Sequence, residues 1–362
     1  MNNFVTNQKI THLINISKKV ILDCSLENGA IVAANPTNPL YPKEAKNYFY
    51  VWPRDAAFTT LAADVLGIDG VMENFIIWLM EKAEGWEETG LFYEKYFTNG
   101  LQALNRFQPD QTGTILTSVC YHCIKNPDNA KKYMKLITHS ADGICNVWDN
   151  DHFIIITNDL WEERLTFPDL KENFTYSLAA CIRGLQSANQ LFPNDRYIKT
   201  SSNMTRVLLK NAKHKGHFFR SFGKINDERL DASLFGIIWP FDIVEATNII
   251  AKTTIQLIEE RLVKDFKVYR YEHDEYDGWM YKMSHRNKGA GFWPLLNFWM
   301  SIILNKMGHR EKALRYYNLI INSVDKFIPE QIFNNDFQKS ISPLCWSHTM
   351  FILASKELNL IP

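Results

Sequence analysis

Apolar residues recur every three to four positions through most of this chain, and that periodicity sets what it can fold into. It predicts a first helix over Asn7–Cys24, with Ile10, Leu13, Ile14, Val20 and Ile21 on one face. Further helices are expected at 55–66, 71–82, 112–124, 128–147, 174–191, 195–212, 231–238, 246–263, 292–307, 311–327 and 343–358. Asp128, just after Pro127, reads as an N-cap. Between them, 86–99, 217–225 and the Tyr-rich 267–281 read as hairpins or loops. About twelve helices without regular strand–helix alternation argue against a parallel α/β sheet. They suit an all-α (α/α)6 toroid, a barrel of six helical hairpins with short β-hairpin excursions and a pocket built by the loops at one end. A helical solenoid would show a repeat of fixed period, and none is present. No low-complexity linker interrupts the chain, so residues 1–362 read as a single domain.

Composition narrows the function classes. Lys plus Arg and Asp plus Glu are 40 each, so the chain lacks the basic footprint expected of a nucleic-acid or anionic-membrane partner. Aromatic residues reach 13%. Many of the 23 Phe belong in a core, but flat rings also stack on the apolar faces of sugars. Residues 1–23 carry polar side chains throughout, with no unbroken apolar run, so no targeting signal is expected. No stretch reaches membrane-spanning length. Of six cysteines only Cys120 and Cys123 are close, and without a second pair they read as helix interior rather than a zinc site. Scattered thiols and no export signal predict a cytoplasmic protein, with no metal or cofactor.

The chemistry concentrates in two places. Asp159-Leu160-Trp161-Glu162-Glu163-Arg164 sets two adjacent carboxylates beside an indole, just ahead of a helical run. Pro329-Glu330-Gln331 sets a Glu in a loop before another. Acetal cleavage needs such a pair: one acid to protonate the leaving oxygen, one base or nucleophile for attack at the anomeric carbon. An acid at Glu162 must hold its proton near neutral pH, and burial beside Trp161 with like charges at Glu163 and Asp159 would favour that. The residues alone leave Glu162 and Glu163 both open as the acid. A solvated surface charge is the bland alternative for each. Tyr48-Phe49-Tyr50-Val51-Trp52-Pro53-Arg54-Asp55 precedes a helix. Arg54 and Asp55 can grip neighbouring hydroxyls, with Tyr48 and Trp52 as stacking faces. The plainer alternative is that Asp55 caps the helix and Arg54 pairs with a core carboxylate.

These stretches, with Leu230-Asp231-Ala232-Ser233-Leu234, Arg270-Tyr271, Gly291-Phe292-Trp293-Pro294 and Pro343-Leu344-Cys345-Trp346-Ser347-His348, resemble glycoside hydrolase family 15. These are the glucoamylase-like enzymes, including glucodextranase and trehalase relatives. The matches keep family order from Tyr48 to His348. The resemblance implies one (α/α)6 glycoside hydrolase domain that removes terminal glucose from α-linked gluco-oligosaccharides with inversion. It makes Glu162 the general acid and Glu330 the general base, with Asp159 a supporting carboxylate. It assigns Tyr48, Trp52, Arg54, Asp55, Trp161, Glu163, Arg270, Trp293 and Trp346 to substrate binding.

Two departures stand out. The family commonly carries a Trp ahead of its Gln-x-Asp stretch; here that stretch is Gln108-Pro109-Asp110, with Leu104 at the matching position and Phe107 as a candidate substitute. Bacterial-type relatives carry an N-terminal β-sandwich, for which the 47 residues before Tyr48 are too few. No starch-binding module is present, which favours a soluble oligosaccharide. Ser347-His348 invites a Ser/His triad reading, but adjacent helical residues point apart, so core packing is expected. The competing readings are a catalytically silent sugar-binding or regulatory module, which could drop either Glu, and another α/α-barrel sugar enzyme such as an epimerase or lyase. Retention of both carboxylates favours the hydrolase. Maltose-type, isomaltose-type and trehalose substrates all stay open, as does the oligomeric state.

Overall fold

The computed structural model describes residues 7–278 and 289–361. Its α-helices in chain order are α1 (Asn7–Cys24), α2 (Pro53–Val65), α3 (Val71–Glu81), α4 (Trp86–Thr89), α5 (Pro109–Lys125), α6 (Pro127–Lys132) and α7 (Met134–Asn146). They continue as α8 (Thr175–Leu191), α9 (Asp195–Asn211), α10 (Ile249–Leu262), α11 (Pro294–Lys306), α12 (Arg310–Ser323) and α13 (Cys345–Glu357). A 3-10 helix, Ala232–Ile237, lies between α9 and α10.

Burial sorts these elements into two rings. Helices α2, α5, α8, α11 and α13 and the 3-10 helix are buried over most of their residues, as helices wrapped on all sides must be. Helices α1, α3, α7, α9, α10 and α12 bury one stripe and expose the other. The inner elements touch in a closed circuit: α2 to α5, α5 to α8, α8 to the 3-10 helix, then α11, α13 and back to α2. This is the (α/α)6 toroid. The closest inner pair, α5 with α8, meets through glycine. A Cβ on Gly113 would sit 2.5 Å from the Ala180 carbonyl carbon, and one on Gly184 would sit 2.8 Å from the Gly113 oxygen.

Proline opens three inner helices: Pro53 on α2, Pro109 on α5 and Pro294 on α11. At a first helical position the missing N–H would have no intrahelical partner anyway. Trp52-Pro53-Arg54-Asp55, Gln108-Pro109-Asp110 and Trp293-Pro294 are therefore helix starts, and they bring their polar residues to one end of the barrel.

The outcome differs from the periodicity reading in several places. The helix expected over 128–147 breaks at Tyr133, whose ring is fully buried and whose backbone (φ −102°, ψ 10°) leaves the helical range. Asn126, not Asp128, holds the N-cap position. The 86–99 excursion is a one-turn helix followed by a hairpin of strands β1 (Tyr93–Tyr96) and β2 (Gln102–Phe107). The 267–281 stretch begins with Lys267–Val268 paired to Val263–Lys264; residues 279–281 lie outside those described. No helix among the described residues is long and apolar enough to cross a membrane.

Candidate active site

A cavity of about 790 Å³ opens at the N-terminal ends of the inner helices. Eleven of the twelve residues singled out in the sequence line it: Tyr48, Trp52, Arg54, Asp55, Trp161, Glu162, Glu163, Arg270, Trp293, Glu330 and Trp346. Asp159 does not.

The first carboxylate motif is no prelude to a helix. Thr157–Asn158 pairs with Leu165–Thr166, and 159–164 form the turn between them. Pro168 and the left-handed Lys171 follow, and α8 starts only at Thr175. Asp159 is buried under the turn and pins it. Its Oδ1 accepts from the backbone N–H of Glu163 (2.8 Å) and Arg164 (3.0 Å), while its carbonyl accepts from Glu162 N–H (3.1 Å). Burial raises its pKa to about 6 against those donors. Glu162 is held at φ 62°, in the left-handed region that a non-glycine residue enters only when its surroundings impose it.

Glu162 Oε1 accepts from Trp52 Nε1 at 2.5 Å, and Oε2 lies 3.9 Å from Lys95 Nζ. Burial pushes its pKa up to about 8; the Glu94 carboxylate adds to this, while Lys95 and Arg54 oppose it. The sequence reading placed the like charges at Glu163 and Asp159. In the structure the principal anionic neighbour is Glu94 on β1, fully buried and held by Asn158 Nδ2 at 2.7 Å. Nothing in a solvated-looking Tyr-Glu-Lys-Tyr strand signalled it. Glu163 turns the other way: Oε1 accepts from Arg270 Nη2 at 2.8 Å and Oε2 from the Tyr271 hydroxyl.

Glu330 lies between α12 and α13, well ahead of the helix expected to follow it closely. Its N–H donates to Ile341 O at 2.8 Å, and its Oε1 accepts from the Tyr48 hydroxyl at 3.1 Å. Tyr276, missed in the sequence, bonds Tyr48 at 2.9 Å and also faces Glu330. Oε2 has no hydrogen-bond partner among the described residues. Burial raises the Glu330 pKa to about 7, against donation from Tyr48, the Arg270 charge and the nearby Tyr276 hydroxyl. Both carboxylates are raised, with Glu162 the higher, which is the order an acid and a base require.

Two arginines frame the floor. Arg54 bonds Asp55 (3.1 Å) and the fully buried Asp110 (3.0 Å), and lies 4.9 Å over Trp346. The core pairing and the pocket position thus coexist. Arg270 is gripped by Asp274 through Nε (2.7 Å) and Nη2 (2.8 Å), and lies about 5 Å from the rings of Trp161, Tyr271, Tyr276 and Trp293. Trp161 is fixed by Nε1 donating to Asp231 at 3.0 Å. Phe107 does not replace the family Trp: it is buried against Phe153, and Leu104 faces Lys95 across the hairpin. Tyr50 and the exposed Phe97, 5.4 Å apart, form the aromatic rim instead. Gln108 is buried and braces the Asp159 carbonyl.

His348 is fully buried. Ile328 N–H donates to its Nε2 at 3.0 Å, so Nδ1 carries the proton and donates to Ser17 Oγ at 2.9 Å. Ser347 Oγ donates to Pro329 O instead, so the two form no triad. Both clamp the segment that carries Glu330. Among the described residues no group of three His, Cys, Asp or Glu side chains is placed to hold a metal ion.

Comparison with known proteins agrees with this architecture. The family model for glycosyl hydrolases family 15 matches residues 11–356. An uncharacterized glycosyl hydrolase of Methanocaldococcus jannaschii is 26% identical over 96% of this chain, which spans 56% of that relative's length. An isomaltose glucohydrolase of Kribbella flavida is 21% identical over 86% of each chain. A glycosidase solved in complex with glucose superposes with a TM-score of 0.82 at 20% identity, over 99% of this chain and 100% of the other. With the matched family model spanning nearly the whole toroid, the chain belongs to glycosyl hydrolases family 15.

Proposed function

We propose that the chain is an inverting, exo-acting α-glucosidase acting on soluble α-linked gluco-oligosaccharides as one catalytic domain. The observation that carries this reading is that Glu162 and Glu330 open on one cavity, each held by an aromatic donor. In the proposed reaction Glu162 gives its proton to the glycosidic oxygen as the bond from C1 to that oxygen breaks. Glu330 takes a proton from water as the water oxygen bonds C1 from the opposite face. The products are β-glucose and the released alcohol; Glu162 is left ionised and Glu330 protonated, and solvent resets both. This requires the carboxyls to lie ~6.5–9.5 Å apart, with water between.

Glu163, Arg270, Arg54 and Asp55 would grip the hydroxyls of the terminal glucose, and Trp161, Trp293 and Trp346 would shape its wall. The aromatic rim of Tyr50 and Phe97 would receive the next sugar. The Kribbella relative's name makes isomaltose the first substrate to try. Six free cysteines, all buried, fit a reducing compartment such as the cytoplasm. A panel of isomaltose, maltose, trehalose and longer oligomers tests the proposal, with Glu162→Gln and Glu330→Gln as controls. Release of glucose from at least one α-linked donor by the parent chain, and its loss in both variants, is expected. Unchanged turnover in either variant would reject that residue's role.

A further inference from the structure

Lys95 places one ammonium between two carboxylates: Nζ is 3.7 Å from Glu94 Oε1 and 3.9 Å from Glu162 Oε2. Neither Lys95 nor Glu94 figures in the reaction written above. Glu94 is fully buried, and its Oε1 has no hydrogen-bond partner among the described residues, while Oε2 accepts from Asn158. The ammonium also lies 5.0 Å over the Trp52 ring, whose Nε1 donates to the same Glu162. Lys95 and the Trp52 ring thus flank one side of Glu162, whose side chain is 24% exposed. From the other elements Glu162 faces Arg54 on α2, while Asp159, Glu163 and Arg164 of its own turn engage other partners; Arg106 on β2 approaches Glu94 to 3.8 Å.

We propose that Glu94 and Lys95 act as an opposed pair on Glu162. Glu94 keeps the proton on Glu162 at rest, and Lys95 carries the charge left when that proton moves to the leaving oxygen. This rests on the reading of Glu162 as the acid. Glu162 and Glu94 are like charges that share one ammonium, so a proton on Glu162 relieves their repulsion. Once Glu162 has donated, Lys95 and the Trp52 N–H stabilise the new carboxylate without reorganising. Both are positioning residues, since neither needs to touch the sugar.

The test compares kcat/KM against pH for the parent chain, Glu94→Gln, Lys95→Met, Lys95→Arg and Glu162→Gln. The donors are α-glucosyl fluoride, whose fluoride leaves without a proton, and whichever of isomaltose or maltose the parent hydrolyses. Removing the like charge lowers the proton affinity of Glu162, so Glu94→Gln should move the alkaline limb down by about one pH unit. Removing the ammonium does the reverse, so Lys95→Met should move that limb up by about one unit. Lys95→Met should also lose roughly tenfold in kcat on the disaccharide, part of the 10²–10⁴ a positioned acid supplies. That loss should spare α-glucosyl fluoride, and Lys95→Arg should restore it. Unshifted limbs, shifts in the same direction, or equal losses on both donors would overturn the pair. If Glu94→Gln does not fold, the two Lys95 variants decide. Full disaccharide turnover by Glu162→Gln would remove the acid reading, and the pair with it. An inactive Glu162→Gln beside unshifted limbs overturns the pair alone.

Discussion

Tyr48 and Trp52 stand with ring centroids 5.5 Å apart, and each donates a hydrogen bond to a different member of the carboxylate pair: Tyr48 to Glu330, Trp52 to Glu162. The two rings arise four residues apart, immediately before α2 enters the barrel. One short segment therefore ties together carboxylates that the sequence separates by nearly half the chain. Its register is fixed by Pro53 at the first helical position and by Arg54 N–H donating to Gln111 Oε1 at 2.6 Å.

Tyr48→Phe tests one arm of that tie. The hydroxyl favours the ionised form of Glu330, so its loss should raise the proton affinity of the base. The acidic limb of kcat/KM should move to higher pH, and the value near neutrality should fall roughly tenfold, the scale of one hydrogen bond to a charged group. Tyr276 keeps the effect from being larger. An acidic limb that stays in place would contradict the contact as drawn.

The pH profile itself follows from the raised carboxylates. Glu330 works as a base only when ionised, above about 7, and Glu162 as an acid only when protonated, below about 8. The bell in kcat/KM should peak between those values, and activity at pH 5 should be about a hundredfold below the maximum. An optimum near pH 4 to 5 would mean that burial does not hold the two groups where the structure puts them.

His348 should prove structural. Its removal in His348→Ala strands the buried Ile328 N–H and Ser17 hydroxyl, at a cost of about 2–4 kcal/mol. Thermal unfolding should show a clear drop in Tm, and kcat should fall because the segment holding Glu330 loosens. A nucleophile triad would instead lose all turnover in both Ser347→Ala and His348→Ala at an unchanged Tm.

Much of this was legible before any coordinates. The inner helices are legible through apolar periodicity; Trp52 to Asp55, Trp161 to Glu163 and Glu330 are readable from motif chemistry, and Arg270, Trp293 and Trp346 from the resemblance to family 15. What escaped has physical causes. The helix break at Tyr133 left no glycine or proline mark, because a buried ring rather than a backbone restriction makes it. The Asp159 to Arg164 turn was read as a helix approach, since its carboxylates resemble a first turn. Only tertiary pairing with Leu165 and Thr166 reveals the hairpin. Glu94 and Lys95 fall in 86–99, and Tyr276 and Asp274 in 267–281, stretches that read only as hairpin or loop. Their roles come from neighbours distant in sequence, Glu162 and Asn158 for the first pair, Tyr48 and Arg270 for the second. No local pattern carries that information.

The most direct measurement is the anomeric configuration of the first glucose released, read by ¹H NMR before mutarotation, from whichever α-linked donor the chain hydrolyses. A base at Glu330 holding water across the ring from an acid at Glu162 should deliver β-glucose first, with the α signal growing in later. Early α-glucose would mean attack from the face the leaving group departs, and would contradict the assignment of these two residues as an acid–base pair on opposite sides of one sugar.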